Sequence, residues 1–237
     1  MRKFFVSKKY LCLCIAIAFI LHGCGVYKES KQVNLNFTLR EDATANTAFT
    51  TAVFETEMNG GKIRVHYPQM DSMESNAEMI NALLQTAGET LLWETYAQED
   101  SRQIDAELEY SITYQSDEVL SVIFTGLGNV QGAAHPNHLF YSLNIDLNCG
   151  KVLYLSDLCA IDQTLVDEIQ TAAKEQLSEP IMQYLEQNSD EKWLELLGEA
   201  DKVHCGVRSY LTQSCLVVAI AVPYAIGDWV EVEVSVH

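Results

Sequence analysis

Positive charge is what this sequence has least of. Of 237 residues only 15 are Lys or Arg, against 33 Asp or Glu, giving a formal net charge of −18. Nucleic-acid binding draws on basic patches that displace counterions, and the chain has no such patch. A body of this charge is also not drawn to anionic lipid. The G-x-S-x-G elbow, the P-loop and the dinucleotide fingerprint are all missing, so the commonest hydrolase, nucleotide and nicotinamide chemistries have no motif to rest on. No D-x-D-x-D-G loop offers calcium its oxygens, and no C-x-x-C pairs zinc ligands. Internal repeats and low-complexity runs are absent too.

Long apolar runs are equally scarce. Tyr10–Leu21 is the one such run at the amino terminus, and it is shorter than the ~20 residues of a membrane-spanning helix. It follows Arg2, Lys3, Lys8 and Lys9 and ends in Leu21-His22-Gly23-Cys24. A positive start, a short apolar stretch and a small residue before cysteine form the pattern of a bacterial lipoprotein signal peptide over residues 1–23. Cys24 is then the lipidated residue, although His22 departs from the small or apolar residue usual at its place. An uncleaved amino-terminal anchor is the alternative. Either way the rest of the chain is expected outside the cytoplasm, held at the cell membrane. Residues 24–32 are short, polar and basic and read as a tether. Beyond them the chain is still more acidic, which suits a cationic partner and also plain solubility.

Cys12 and Cys14 lie in the leader, leaving Cys149, Cys159, Cys205 and Cys215. Outside the cytoplasm these four can form two disulfides, the local pairs 149–159 and 205–215 each flanking a predicted turn, or they can remain thiols.

Val33–Leu39 alternates apolar and polar residues as a half-buried strand does, and Thr50–Glu57 is a second candidate. Asn59-Gly60-Gly61 predicts a hairpin turn into Ile63, Val65 and Tyr67, with Pro68 as its end. A helix is predicted from Ser75, capped by the Ser75/Glu78 box, to about Gln98. Strands follow at Ala106–Tyr114 and, central because apolar on both faces, Val119–Thr125. Residues 126–137 read as a glycine-punctuated loop ending in Ala134-His135-Pro136-Asn137, before strands at Leu139–Leu147 and Val152–Leu155. Asp162 or Thr164 caps a second helical block that Pro180 kinks or restarts and Gly198 ends. Val203–Tyr210, Cys215–Val222 and the alternating run from Val230 to Val236 are the closing strands, with a loop at 223–227. Runs of adjacent strands with two helical blocks predict an α+β fold with antiparallel sheets, divided as 33–125 and 126–237.

His135 and His138, with Asp146 nearby, are the sharpest candidate site. Pro136 between them rules out one helical face, and a structural histidine in a tight loop explains them better than a zinc ligand set. Neither a metal nor another cofactor is expected. Trp229 and Tyr224, beside Gly227, could line a sugar or peptide groove or belong to the core. Asp105, Glu107 and Glu109 share one strand face, and Lys62, Arg64 and His66 share another. Placed side by side, these rows would form cross-strand ion pairs of modest worth.

Two stretches support a resemblance. Ile63-Arg-Val-His-Tyr-Pro-Gln-Met70 with Ala77-Glu-Met-Ile-Asn81 resembles the start of a bacterial extracytoplasmic domain. Gly132-Ala-Ala-His-Pro-Asn137, Asn144-Ile-Asp146, Gly150-Lys151 and Leu155-Ser-Asp-Leu158 look like its carboxy-terminal half, and Pro223-Tyr224 with Gly227 like its close. The domain is similar to the outer portion of RsiV-type anti-sigma factors, which sense lysozyme, and to the segment before the catalytic domain of PdaC-type peptidoglycan deacetylases. Ala133 stands where that pattern has a second glycine. Neither use makes such a domain an enzyme, and lysozyme binding does not carry over with the resemblance. The expectation is a domain that binds or senses a protein or cell-wall ligand without catalysis, with His135, Asn137, His138 and Tyr224 as candidate binding residues and lysozyme, being cationic, as the partner to try first. The rival expectation is a cell-envelope hydrolase with its site around His135.

The lipobox generates the first prediction. Cells expressing the intact chain should incorporate labelled palmitate, and the Cys24→Ala variant should lose that label. Equal labelling of the two would rule the lipobox out.

Overall fold

The computed structural model describes residues 33–36, 39, 48–71, 76–96 and 101–236. The leader 1–23 with Cys24, the tether 24–32 and the capping box at Ser75 lie outside these residues. Among the described residues no helix is long and apolar enough to cross a membrane.

The architecture is α+β. Strands β1 (Phe49–Met58), β2 (Gly61–Met70), β3 (Ile104–Gln115), β4 (Val119–Val130), β5 (Asn137–Asp146) and β6 (Lys151–Leu153) form a six-stranded sheet in chain order, with helix α1 (Ala77–Tyr96) between β2 and β3. Four helices follow, α2 (Leu155–Leu158), α3 (Gln163–Gln176), α4 (Glu179–Leu185) and α5 (Asp190–Gly198). Strands β7 (Val207–Leu211), β8 (Cys215–Ala221) and β9 (Trp229–Ser235) make a second sheet. Every ladder is antiparallel except β2–β3, which runs parallel because α1 crosses back between the two strands.

Local chemistry accounts for most of these elements. Asn59 and Gly60 both take positive φ, at 51° and 83°, the backbone of the tight hairpin turn their sequence predicts. Asp162 is the cap of α3, accepting the amide hydrogens of Thr164 and Leu165. Pro180 starts α4 rather than kinking a longer helix, since the first turn needs no N–H from it. Leu155 opens the one-turn α2 instead of ending β6, and β7 begins only at Val207 because Asp201 and His204 turn the chain with positive φ.

Three expectations fail for tertiary reasons. Among the described residues of Val33–Leu39 there is no strand: Val33 bridges Val236 and Leu35 bridges Cys159, so Val33, Leu35 and Leu39 seal the second core. Pro68 does not end β2, which pairs with β1 as far as Met70. The β2–β3 ladder stops at Val65, so Pro68 lies where the other edge of β2 has no ladder to break. The loop expected from Gly126 is strand: β4 continues through Gly126 and Gly128 to Val130. A Cβ at Gly126 would collide with the Glu107 carbonyl, and one at Gly128 with the Tyr96 side chain. The division at 125/126 therefore cuts a strand, and residues 31–237 form one compact unit.

Three apolar layers fill the space between elements. Ile80, Leu84, Ala87 and Leu91 of α1 pack on Val65, Leu108, Phe124 and Ile145 of the first sheet. Gly88 lets the helix approach until a Cβ would meet Val65. Leu165, Ile169, Trp193 and Leu197 of the later helices pack on Leu216, Val218 and Val232. The opposite face of β8, Val217 and Ala219, meets Phe140 together with Tyr210. β8 is thus buried on both faces, and the second sheet covers the β4–β5 part of the first sheet's outer face. The β1–β3 part of that face stays open.

Gly126 gives a stability test. Gly126→Ala should lower the unfolding free energy by about 3 kcal/mol through overpacking against rigid backbone, read from the urea midpoint. A midpoint equal to that of the unsubstituted chain would contradict this packing.

Candidate functional site

The histidine-proline corner brings three of the four expected binding residues together. The loop 131–136 joins β4 to β5, and the loop before β9 lies against it. The rings of His135 and Tyr224 stack with centroids 3.2 Å apart and planes 5° from parallel. His135 Nδ1 is 3.2 Å from the Pro136 carbonyl oxygen. The Asp228 carboxylate accepts the His138 backbone N–H at 3.0 Å and sits 3.1 Å from His138 Nδ1. Asp228 holds this position at φ 64° in the turn before β9. The two stacked rings leave no gap between them, while Asn137 opens β5 opposite Gly128. Asp146 is not part of the corner: it ends β5, where its carboxylate accepts the Asn148 N–H. Trp229 packs on Phe140 at 5.4 Å between centroids and so belongs partly to the core.

The ion-pair rows do meet. Parallel pairing sets Arg64 beside Glu107. The Arg64 guanidinium is 2.8 Å from Glu55 and 3.8 Å from Glu107, and His66 Nδ1 is 3.5 Å from Glu109. All these side chains except His66 are more than half exposed, so each pair is worth little by itself. Glu55, Arg64 and Glu107, together with Glu57, Lys62, Asp105 and Leu127, wall an open groove of about 820 Å³. His66, Glu107 and Glu109 also bring ligand atoms within 4.8 Å of one another, the one group of three or more such residues among those described. Sequence reasoning saw both rows but not this grouping, because alternation shows which residues share a face and not which strands are neighbours.

A buried polar seam is the feature the sequence did not disclose. The backbone edge of β7 that faces away from β8 is met by side chains instead of a strand. Asn144 donates to the Ser209 carbonyl at 3.0 Å, and the Leu211 N–H donates to Ser121 Oγ at 3.1 Å. Ser121 in turn hydrogen-bonds Asn144. Asp201 accepts from the Ser209 N–H and hydroxyl, both at 2.6 Å, and from the Leu155 N–H at 2.8 Å. Arg208 spans from the Asp201 carbonyl to Glu94 at 2.7 Å and lies 4.2 Å above the Tyr141 ring. Burial outweighs the Ser209 and Leu155 hydrogen bonds and the Arg208 charge, and pushes the Asp201 carboxyl up to about 6.

The four described cysteines are all free thiols, so the local disulfide pairs are not formed. Each pair divides between different surroundings. Cys149 is exposed in the β5–β6 turn whereas Cys159 is buried in the helical core. Cys205 lies 3.8 Å from the Leu196 carbonyl, and Cys215 faces Thr212 at the start of β8. A hydrogen bond to Asp146 holds the Cys149 thiol above its ordinary value, and burial does so for the others, Cys159 reaching about 12. None is activated as a thiolate.

Asp201 yields a pH prediction. The unfolded chain releases this proton near 4 and the folded chain near 6, so the folded state binds more protons across that window and stability falls as pH rises through it. The stability difference between the unsubstituted chain and Asp201→Asn should shrink by roughly 3 kcal/mol from pH 4 to pH 7 in urea titrations. A difference constant with pH would remove the raised carboxyl.

No protein-family model matches the sequence, and no curated protein does. Two solved structures share the fold. One is a member of the DUF3298 family from Bacteroides fragilis, at TM-score 0.50 and 14% identity, covering 81% of this chain and 92% of that one. The other is a DUF3298 family protein from Pseudomonas aeruginosa PAO1, at TM-score 0.50 and 14% identity, covering 82% and 92%. At that identity the likeness is one of fold, a fold found in bacterial proteins of a family of unknown function.

Proposed function

We propose that the chain is a lipid-anchored, extracytoplasmic binding module that takes a cationic protein or a cell-wall ligand and does so without catalysis. The observation that carries this reading is the open groove on the outer face of β1–β3. Glu55, Glu57, Asp105 and Glu107 outnumber Lys62 and Arg64 there, and Arg64 is already engaged by Glu55. A basic surface laid against this face would meet a surplus of exposed carboxylates, which favours fast, salt-sensitive association. The resemblance to the outer portion of RsiV-type anti-sigma factors makes lysozyme, itself cationic, the first partner to try.

The second reading, an envelope hydrolase, rests on the His138–Asp228 pair. A carboxylate on Nδ1 orients an imidazole as a general base needs, and His138 is more than half exposed.

Interferometry against lysozyme should give saturable binding at low salt that weakens at moderate salt, and Glu57→Lys should weaken it several-fold. The same preparation should release no muropeptides from purified sacculi. Binding absent at both salt concentrations would exclude lysozyme. Muropeptide release abolished by His138→Ala would replace the binding reading with the hydrolase.

A further inference from the structure

His66 is an anomaly within the ion-pair rows. Three quarters of its side chain is buried, and Nε2 is shut away from solvent with no hydrogen-bond partner. Its Nδ1 approaches Glu109 at 3.5 Å, an ion-pair distance that reaches no hydrogen bond. A buried imidazole bonded at neither nitrogen calls for an explanation beyond a surface ion pair.

Its neighbours supply one. The parallel β2–β3 ladder ends at Val65 and Leu108, and His66 and Glu109 are the residues immediately past that end. Past the end of the ladder their side chains stand beside each other. Glu107 lies two residues before Glu109 on the same face of β3, with the Arg64 guanidinium no nearer than 3.8 Å. The three ligand atoms lie within 4.8 Å of one another. Donors held at about 2.1 Å from a shared ion are roughly 3 to 4 Å apart, so small rotations of the two exposed glutamates complete the set.

We propose that His66, Glu107 and Glu109 bind a divalent transition-metal ion on the outer face of the first sheet, through His66 Nδ1 and one oxygen of each carboxylate. One imidazole and two carboxylates are a borderline-to-hard donor set that suits Zn²⁺ or a neighbouring first-row ion, with water in the remaining positions. Two carboxylates balance the charge of the ion, and the surplus of acid in the groove raises the local cation concentration. The ion also supplies the partner that Nδ1 lacks. The argument for this site does not rest on the cationic partner proposed above, although the two would share Glu107.

The test is calorimetric titration of Zn²⁺ into the untagged, chelator-treated full chain. We expect one saturable site whose affinity falls by roughly tenfold or more in His66→Ala and in Glu109→Gln. The isosteric Glu109→Gln keeps the size of the side chain, so its loss cannot be assigned to unfolding when its thermal midpoint is unchanged. Glu175→Gln, an exposed carboxylate on α3, should bind as the unsubstituted chain does. Saturable binding that survives both substitutions would place the ion elsewhere, on the exposed Cys149 or the His138–Asp228 pair, and would overturn the assignment. So would no saturable binding at all, leaving His66 as an ion-pair partner only.

Discussion

An unpaired strand edge buried inside a protein is costly, because each N–H and C=O left without a partner forfeits its hydrogen bond to water. β7 is such an edge, and the rest of this molecule is arranged around satisfying it. Ser121 and Asn144 reach out of the first sheet to Leu211 and Ser209, and Asp201 closes the remaining amide from the other side. The same carboxylate holds the first turn of α2 through Leu155. One buried acid thereby fixes the end of the α5–β7 turn, the edge of the second sheet and the entry to the helical layer. The seam brings the second sheet onto β4 and β5 rather than onto any other part of the first.

That docking position divides the outer face of the first sheet. Over β4 and β5 it is covered by Val217, Ala219 and Tyr210, and Ser121, Ser142 and Asn144 become buried. Over β1–β3 it stays in water, and there the acidic rows are exposed. The functional readings follow from this partition, since a groove exists only where the second sheet does not reach. The histidine-proline corner stands at the boundary, where Asp228 from the second sheet fastens the first residues of β5. The stacked His135 and Tyr224 close that boundary with their own rings.

Some of this was legible in sequence for clear reasons. The Asn59-Gly60 turn, the Asp162 cap and the alternation in β3 and β9 are local, set by backbone sterics and by the water-facing side of each strand. The membership of Lys62, Arg64 and His66 in one row and of Asp105, Glu107 and Glu109 in another was legible because alternation fixes faces. That the two rows meet was not, since it depends on β2 and β3 being neighbours. Gly126 and Gly128 misled, since a glycine that makes room for the Glu107 carbonyl or the Tyr96 ring reads the same as one that makes a loop. Val33–Leu39 misled in the same way, because period-two alternation reports burial on one side and not hydrogen bonding to a neighbour. Asp201 gave no signal, as nothing in its flanking residues shows that Ser209 and Leu155 will converge on it.

The amino-acid sequence by itself determined most element types, the α+β class and the sign of the net charge, because these depend on residues close along the chain and on total charge. Tertiary structure decided the parallel β2–β3 pairing, the docking of the second sheet, the free state of the cysteines and the meeting of His66 with Glu107 and Glu109. Those outcomes depend on contacts between residues tens of positions apart, whose energies exist only once the chain has closed on itself.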